Sequence, residues 1–312
     1  MEIINSFINS IASIGITGAA TQGIIWGIMA IGVYITYKIL DIADLTVDGS
    51  FTTGAAVLVV CVTQHSMNIY LAMLLAFLAG CIAGLITGIF HTKFGIPAIL
   101  AGILTQFSLY SINLRILGRA NIPLNVRKFD VFLSSFNINH ALLMSLLSAA
   151  VIIVVLYLFF GTELGMSLRA TGCNNNMARA NGINTERNKV LGLVISNGMV
   201  ALSGGLIAQY QGFADINMGR GAIVIGLAAV IIGEVLFSKI YRNFAVRLAS
   251  AVVGGILYYV IITLVLKMGL RADDLKLLSA IVVAIFLGLP YWKGKIAQMK
   301  PLKEEADNAQ SK

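Results

Sequence analysis

The feature that most limits what this chain can fold into is the length of its uncharged stretches. No Asp, Glu, Lys or Arg occurs over positions 3–37, 49–92, 94–114, 131–162 or 190–214. A helix needs about 20 largely apolar residues to cross a bilayer, so each stretch has room for one or two crossings. Of 312 residues only 12% are charged and 58% are hydrophobic, against roughly 25% charged in a soluble domain. The expectation is an all-α, polytopic membrane bundle of eight or nine transmembrane segments. The apolar runs fall at 20–37, 50–63, 68–90, 97–117, 139–160, 190–210, 221–237 and 248–266, with a ninth at 277–292. The second is short and the fourth opens on Pro97, which are marks of broken helices. Membranes tolerate these only where the backbone is buried in protein or faces water.

Around this bundle the chain divides into three parts. Positions 1–18 mix Asn5, Asn9, Ser10 and Ser13 with apolar residues and read as an amphipathic helix on the membrane surface. Positions 19–292 form the membrane domain, and 293–312 a basic, polar cytoplasmic tail. No cleavable signal peptide is expected, because the first 20 residues lack a basic start and the apolar run simply continues. The net charge of +8 sits at the ends of apolar runs, where orientation signals belong, so nucleic acid is not an expected partner. With nine crossings and the tail inside, 14 of the 22 basic residues are cytoplasmic, placing the N-terminus outside. The basic loop at 115–128 runs against that bias.

Glycines cluster at Gly80/Gly84/Gly88, Gly204/Gly205 and Gly254/Gly255, spacings that let helices approach closely. The segment 43–57 is echoed by 214–230: each begins Ala-Asp-aliphatic and passes through a Gly-containing turn into a small-residue helix. Entering from opposite faces, the two carry the signature of an inverted repeat.

Chemistry-bearing motifs are missing. There is no G-x-x-x-x-G-K-[ST] phosphate loop, no metal-spaced Cys or His set, and the three cysteines are scattered. No catalytic residue, metal site or cofactor is expected in this chain. Glu234 reads as the one carboxylate clearly within a span, which argues against an ion-coupled carrier, since such carriers place ionisable groups near the midplane. That carrier, or a channel, is the alternative reading.

The longest hydrophilic connection, 161–188, reads as two helical pieces, 163–170 and 175–180, separated at Gly172 and closed by Gly182. Its run Gly165-x-x-Leu168-Arg169-Ala170-x-Gly172-x-Asn174-x-x-x-Ala178-x-x-x-Gly182-Ile183 resembles the coupling loop of permeases in the branched-chain amino acid and ribose family of ATP-binding-cassette importers. The resemblance extends to 43–57, to Gly95-Ile96-Pro97-Ala98 and to the Gly-rich helix at 223–233, in the family's order. Asp48 departs from the family's usual small residue, and Glu234-Val235 from the glycine common in sugar permeases. The resemblance implies a permease subunit of a bacterial plasma-membrane importer. Its solute would be an amino acid, aromatic ones included, ahead of a sugar. A homodimer would enclose the path, and cytoplasmic ATPases, which hold the ATP and Mg, would grip Ser167 to Ile183 with Arg169 as a polar contact. An external solute-binding lipoprotein or periplasmic receptor would deliver the solute. Thr46, Ser50, Thr52, Thr53, Pro97, Thr105, Gln106 and Asn197 are the candidate pathway residues, Gln106 foremost because an unpaired amide is costly to bury.

Overall fold

The computed structural model describes residues 15–237 except Arg127 and Asp130, residues 243–267, and scattered positions between 277 and 288. The expected surface helix before position 15, the tail at 293–312 and most of the ninth run lie outside the described residues. So do Arg127, Lys239, Arg242, Arg271 and Lys276, which the orientation count used.

The described chain is a bundle of helices. In order these are α1 (Ile16–Tyr34, continued by a π-helical turn, Ile35–Ile39), α2 (Val47–Thr63), α3 (Ile69–Thr92) and α4 (Ala98–Leu117). After them come α5 (Ile138–Gly161), α6 (Glu163–Cys173), α7 (Asn175–Ala180), α8 (Thr185–Gln211), α9 (Ala222–Phe237) and α10 (Phe244–Lys267). Six of these are long and apolar enough to cross a membrane, and α2 and α9 are shorter apolar helices. A pair of three-residue strands, β1 (Asn121–Pro123) and β2 (Phe213–Asp215), lies antiparallel with Ile122 opposite Ala214. It ties the loop after α4 to the connection after α8.

Lipid is as apolar as leucine, so membrane helices are sorted by shape and by hydrogen bonds, not by hydrophobicity. The placement follows that rule. α1 and α8 are buried over 72% of their apolar windows and form the centre; α5, the most apolar of the six, is buried over only 17%. Its Leu143, Leu147, Val151 and Leu158 face outward, while α8 carries Ser196, Asn197, Ser203 and Gln209 inside. The hydroxyls of Ser196 and Ser203 donate to the Gly32 and Ile25 carbonyls of α1 at 2.7 Å each, bonding the two central helices.

The expected close approach at glycines is borne out along α3. Gly80, Gly84 and Gly88 lie in turn against Asn197, Leu193 and Val190 of α8, where a Cβ would meet backbone. Gly204 of α8 likewise sits on the Phe51 carbonyl of α2, and Gly254 of α10 on the Ala229 carbonyl of α9.

Candidate functional site

α2 begins inside the bundle, so its first N–H groups cannot turn to water. Asp44, 3% exposed, supplies an acceptor: its Oδ1 takes the Thr46 N–H at 2.9 Å. The carboxylate is held in turn from α8, where Asn197 Nδ2 donates to Asp44 Oδ2 at 2.7 Å and Asn197 Oδ1 accepts the Ser50 hydroxyl at 2.6 Å. Thr46 and Thr87 of α3 share a hydrogen bond at 2.8 Å. Three of the expected pathway residues, Thr46, Ser50 and Asn197, are thus gathered around one buried carboxylate.

One turn into α2, Asp48 performs the same service for another helix. Its Oδ2 accepts the Gly221 N–H and its Oδ1 the Ile223 N–H, each at 2.9 Å. It therefore caps the start of α9, whose positive dipole end favours a negative charge. Thr52 Oγ1 accepts the Gly219 N–H at 3.2 Å beside it. The N-termini of the two short helices consequently meet within the bundle, each closed by an aspartate. Beside Glu234, the carboxylate expected within a span, the bundle encloses Asp44 and half-buries Asp48, which α2 takes in because it starts three residues before the apolar run does. Glu234 itself pairs with Lys38 at 2.8 Å.

Beside Asp48 opens a cavity of about 300 Å³ walled by Gln106, Phe107, Tyr110 and Asn113 of α4 and by Arg220. Gln106 lines it. Thr53 and Thr105 do not take part; each hydroxyl bonds its own helix one turn back, to the Gly49 and Ala101 carbonyls. Pro97 starts α4 and lines a separate cavity of about 460 Å³ with His91 and Lys189. Tyr110 and Asn113 escaped the sequence reading. Asp48 stood out there only as a family departure, and Arg220 only as part of the echoed segment.

The loop between α5 and α8 is a helix, a break and a second helix. Thr162 caps α6 by accepting the Gly165 N–H at 3.3 Å, and Asn174 caps α7 by accepting the Asn176 and Met177 N–H groups at 3.0 Å each. The break therefore falls at Asn174, not at Gly172. Gly172 lies inside α6, pressed on the Ile39 carbonyl where no side chain fits. Gly182 does make a turn, with φ of 79° in the left-handed region that suits glycine. Leu168 and Ala178 point inward, and Ser167 shares hydrogen bonds with Asn188. Arg169 lies over the Phe244 ring of α10, 5.1 Å from its centroid. Leu164, Met166 and Met177 are more than half exposed.

A family described as the permease component of branched-chain amino acid transport systems matches residues 15–290. The tyrosine transport system permease protein of Clostridioides difficile is 45% identical over 88% of this chain and 90% of its own length. An uncharacterized protein of Rickettsia prowazekii is 37% identical over 86% of this chain and 95% of its own. The autoinducer 2 import system permease LsrC of Yersinia pseudotuberculosis is 28% identical over 62% of this chain and 54% of its own. No solved structure gives a significant match.

Proposed function

Because this chain belongs to the family of branched-chain amino acid transport permeases and is a membrane subunit of an ATP-binding-cassette transporter, we propose that it forms the import path for an aromatic amino acid. The 45% identity to a tyrosine permease, spread over nearly the whole length of both chains, carries this reading. The ion-coupled carrier is set aside by the same match.

In the proposed assembly two copies of this chain face one another and enclose the path. The outward face of α4 supports this arrangement. It exposes Ser108, Ser111 and Arg115, and α4 is the least hydropathic of the six long helices. Polar groups so placed are unfavourable against lipid and suit a wet passage between copies. The eight described apolar helices, with 277–292 as a ninth crossing, leave the N-terminus outside and 293–312 in the cytoplasm. The membrane domain spans 19–292, with 1–18 as a surface helix. The segments leading into α2 and α9 are the related halves of an inverted repeat. Asp44 and Asp215 make the same turn, each accepting the N–H two residues on.

The loop 161–188 is the grip for cytoplasmic ATPases, which hold the ATP and Mg, while an external receptor delivers the solute. Its exposed apolar side chains Leu164, Met166 and Met177 suit a covering partner, and Leu168 and Ala178 are buried beneath them. Closure of the ATPases would push α6 and α7 as a body, and the bundle would rock about the meeting point of α2 and α9.

The test is co-purification of this chain with its ATPase from detergent, followed by measurement of coupled ATP hydrolysis. Met177→Asp and Arg169→Glu are expected to lower complex recovery or receptor-stimulated hydrolysis about tenfold, while the bundle's melting temperature stays within a few degrees. An intact complex with unchanged hydrolysis in both variants would remove the grip from this loop.

A further inference from the structure

The cavity beside Asp48 carries a set of groups that helix packing does not call for. Asn113 is 1% exposed, and its Nδ2 donates to the Gly49 carbonyl at 3.3 Å. That carbonyl only accepts, which decides the orientation of the amide. Among the described residues Asn113 Oδ1 is then left buried with no hydrogen-bond partner, a state proteins rarely keep without a reason. The Asp48 carboxylate accepts the Gly221 N–H on Oδ2 and the Ile223 N–H on Oδ1, so both oxygens retain lone pairs for a further donor. Arg220 is exposed and lies over the Tyr110 ring, 5.7 Å from its centroid; among the described residues it has no ion-pair partner. Asp48, Asn113, Arg220 and the rings of Tyr110 and Phe107 therefore line one space of about 300 Å³, within the range of small-molecule sites.

We infer that this cavity is a solute site within the permease itself, in which Arg220 takes the carboxylate of an aromatic amino acid, Asp48 and Asn113 Oδ1 take its ammonium, and Tyr110 and Phe107 flank its ring. The inference rests on the amino-acid reading above and adds the atoms that would read the zwitterion. It gives Asp48 a second role beside capping α9. A bound ammonium supplies the donor that Asn113 lacks. A guanidinium already stacked on a ring is held ready for a planar carboxylate.

The permease in nanodiscs is titrated with radiolabelled L-tyrosine, with tyramine, which lacks the carboxylate, and with 3-(4-hydroxyphenyl)propionate, which lacks the ammonium. L-tyrosine is expected to bind, and each analogue to bind at least about tenfold more weakly, as loss of a charge-assisted contact implies. Arg220→Gln weakens tyrosine about tenfold and leaves tyramine unchanged, and Arg220→Lys recovers part of the loss. Asn113→Leu weakens tyrosine and tyramine and leaves the propionate unchanged. Import of labelled tyrosine by the whole transporter in vesicles is measured beside binding. Wild-type import that Arg220→Gln and Asn113→Leu leave untouched, in protein with unaltered melting, overturns the site and lets the amino-acid reading stand. A wild-type transporter that imports none of the twenty standard amino acids overturns that reading, and the site with it.

Discussion

At the scale of single residues the structure turns on carboxylates that the bilayer should disfavour. Asp44 survives at 3% exposure because each carboxylate oxygen meets a donor, Oδ1 the backbone N–H of Thr46 and Oδ2 the amide of Asn197. Asn197 is the pivot: it serves Asp44 and Ser50 at once and anchors itself on the Leu193 carbonyl at 3.0 Å. Asn197→Leu would fill the same space but leave Asp44 one donor short and Ser50 without its acceptor. A loss of about 2 kcal/mol is expected, read as a fall of several degrees in the melting of detergent-solubilised protein. Ser50→Ala, which leaves Asp44 satisfied, should cost about half as much. Equal stability of Asn197→Leu and wild type would show that water reaches this carboxylate. Ser50, Asn197 and Thr46 were legible in the sequence as polar residues in apolar runs. Their common partner was not, since Asp44 falls just ahead of the second run and stood out there only as part of an echoed segment.

At the scale of elements the contacts are made by backbone against backbone. Along α3 the glycines at 80, 84 and 88 repeat every fourth residue, on one helix face, and each meets the main chain or Cβ of α8. Gly84→Val would drive a side chain into the Leu193 carbonyl and separate the two helices along their length. Overpacking of this kind costs about 2 kcal/mol, and without lipid-excluded volume to drive reassociation the variant should accumulate poorly and melt early. Gly161→Ala, at the end of α5 with open space around it, should match wild type within about 0.5 kcal/mol. Similar losses for both would mean that glycine matters for the chain's freedom and not for contact. The glycine spacing announced this interface; the partner helix, more than a hundred residues away, could not be named from it. Gly172 teaches the converse. A glycine between two helical patterns invites reading as a hinge, yet here it is a contact point inside α6, because Ile39 approaches from another element.

At the scale of the whole molecule the arrangement is set by two short helices whose N-termini meet in the interior, with long helices around them. Orientation in the membrane follows from the proposed crossings and is open to direct measurement. Cys173 is exposed at the end of α6, while Cys61 and Cys81 are partly covered. With Cys61 and Cys81 changed to alanine, a membrane-impermeant maleimide should label Cys173 in inverted vesicles and spare it in sealed, right-side-out ones. Labelling from the outside would invert the topology and move the ATPase grip to the wrong face. The Lys38–Glu234 pair at 2.8 Å joins the turn that ends α1 to the far end of α9. It sits on the same face as α6 in this topology, with both side chains partly exposed, so its contribution to stability is small.

The sequence by itself determined that this chain is a helical membrane protein and where its long apolar helices fall. Those properties are local: the length of an apolar run and the absence of charge within it act over a few turns of helix. Only the tertiary structure decided that Asp48 closes α9, that Asn113 keeps an unanswered acceptor, and that Arg220 and Tyr110 stand across one cavity. These residues come from three segments separated by up to 172 positions. No periodicity connects such segments. They meet because a helix starting inside a bilayer must have its first N–H groups answered by another part of the chain, and that demand is met only once the bundle has closed.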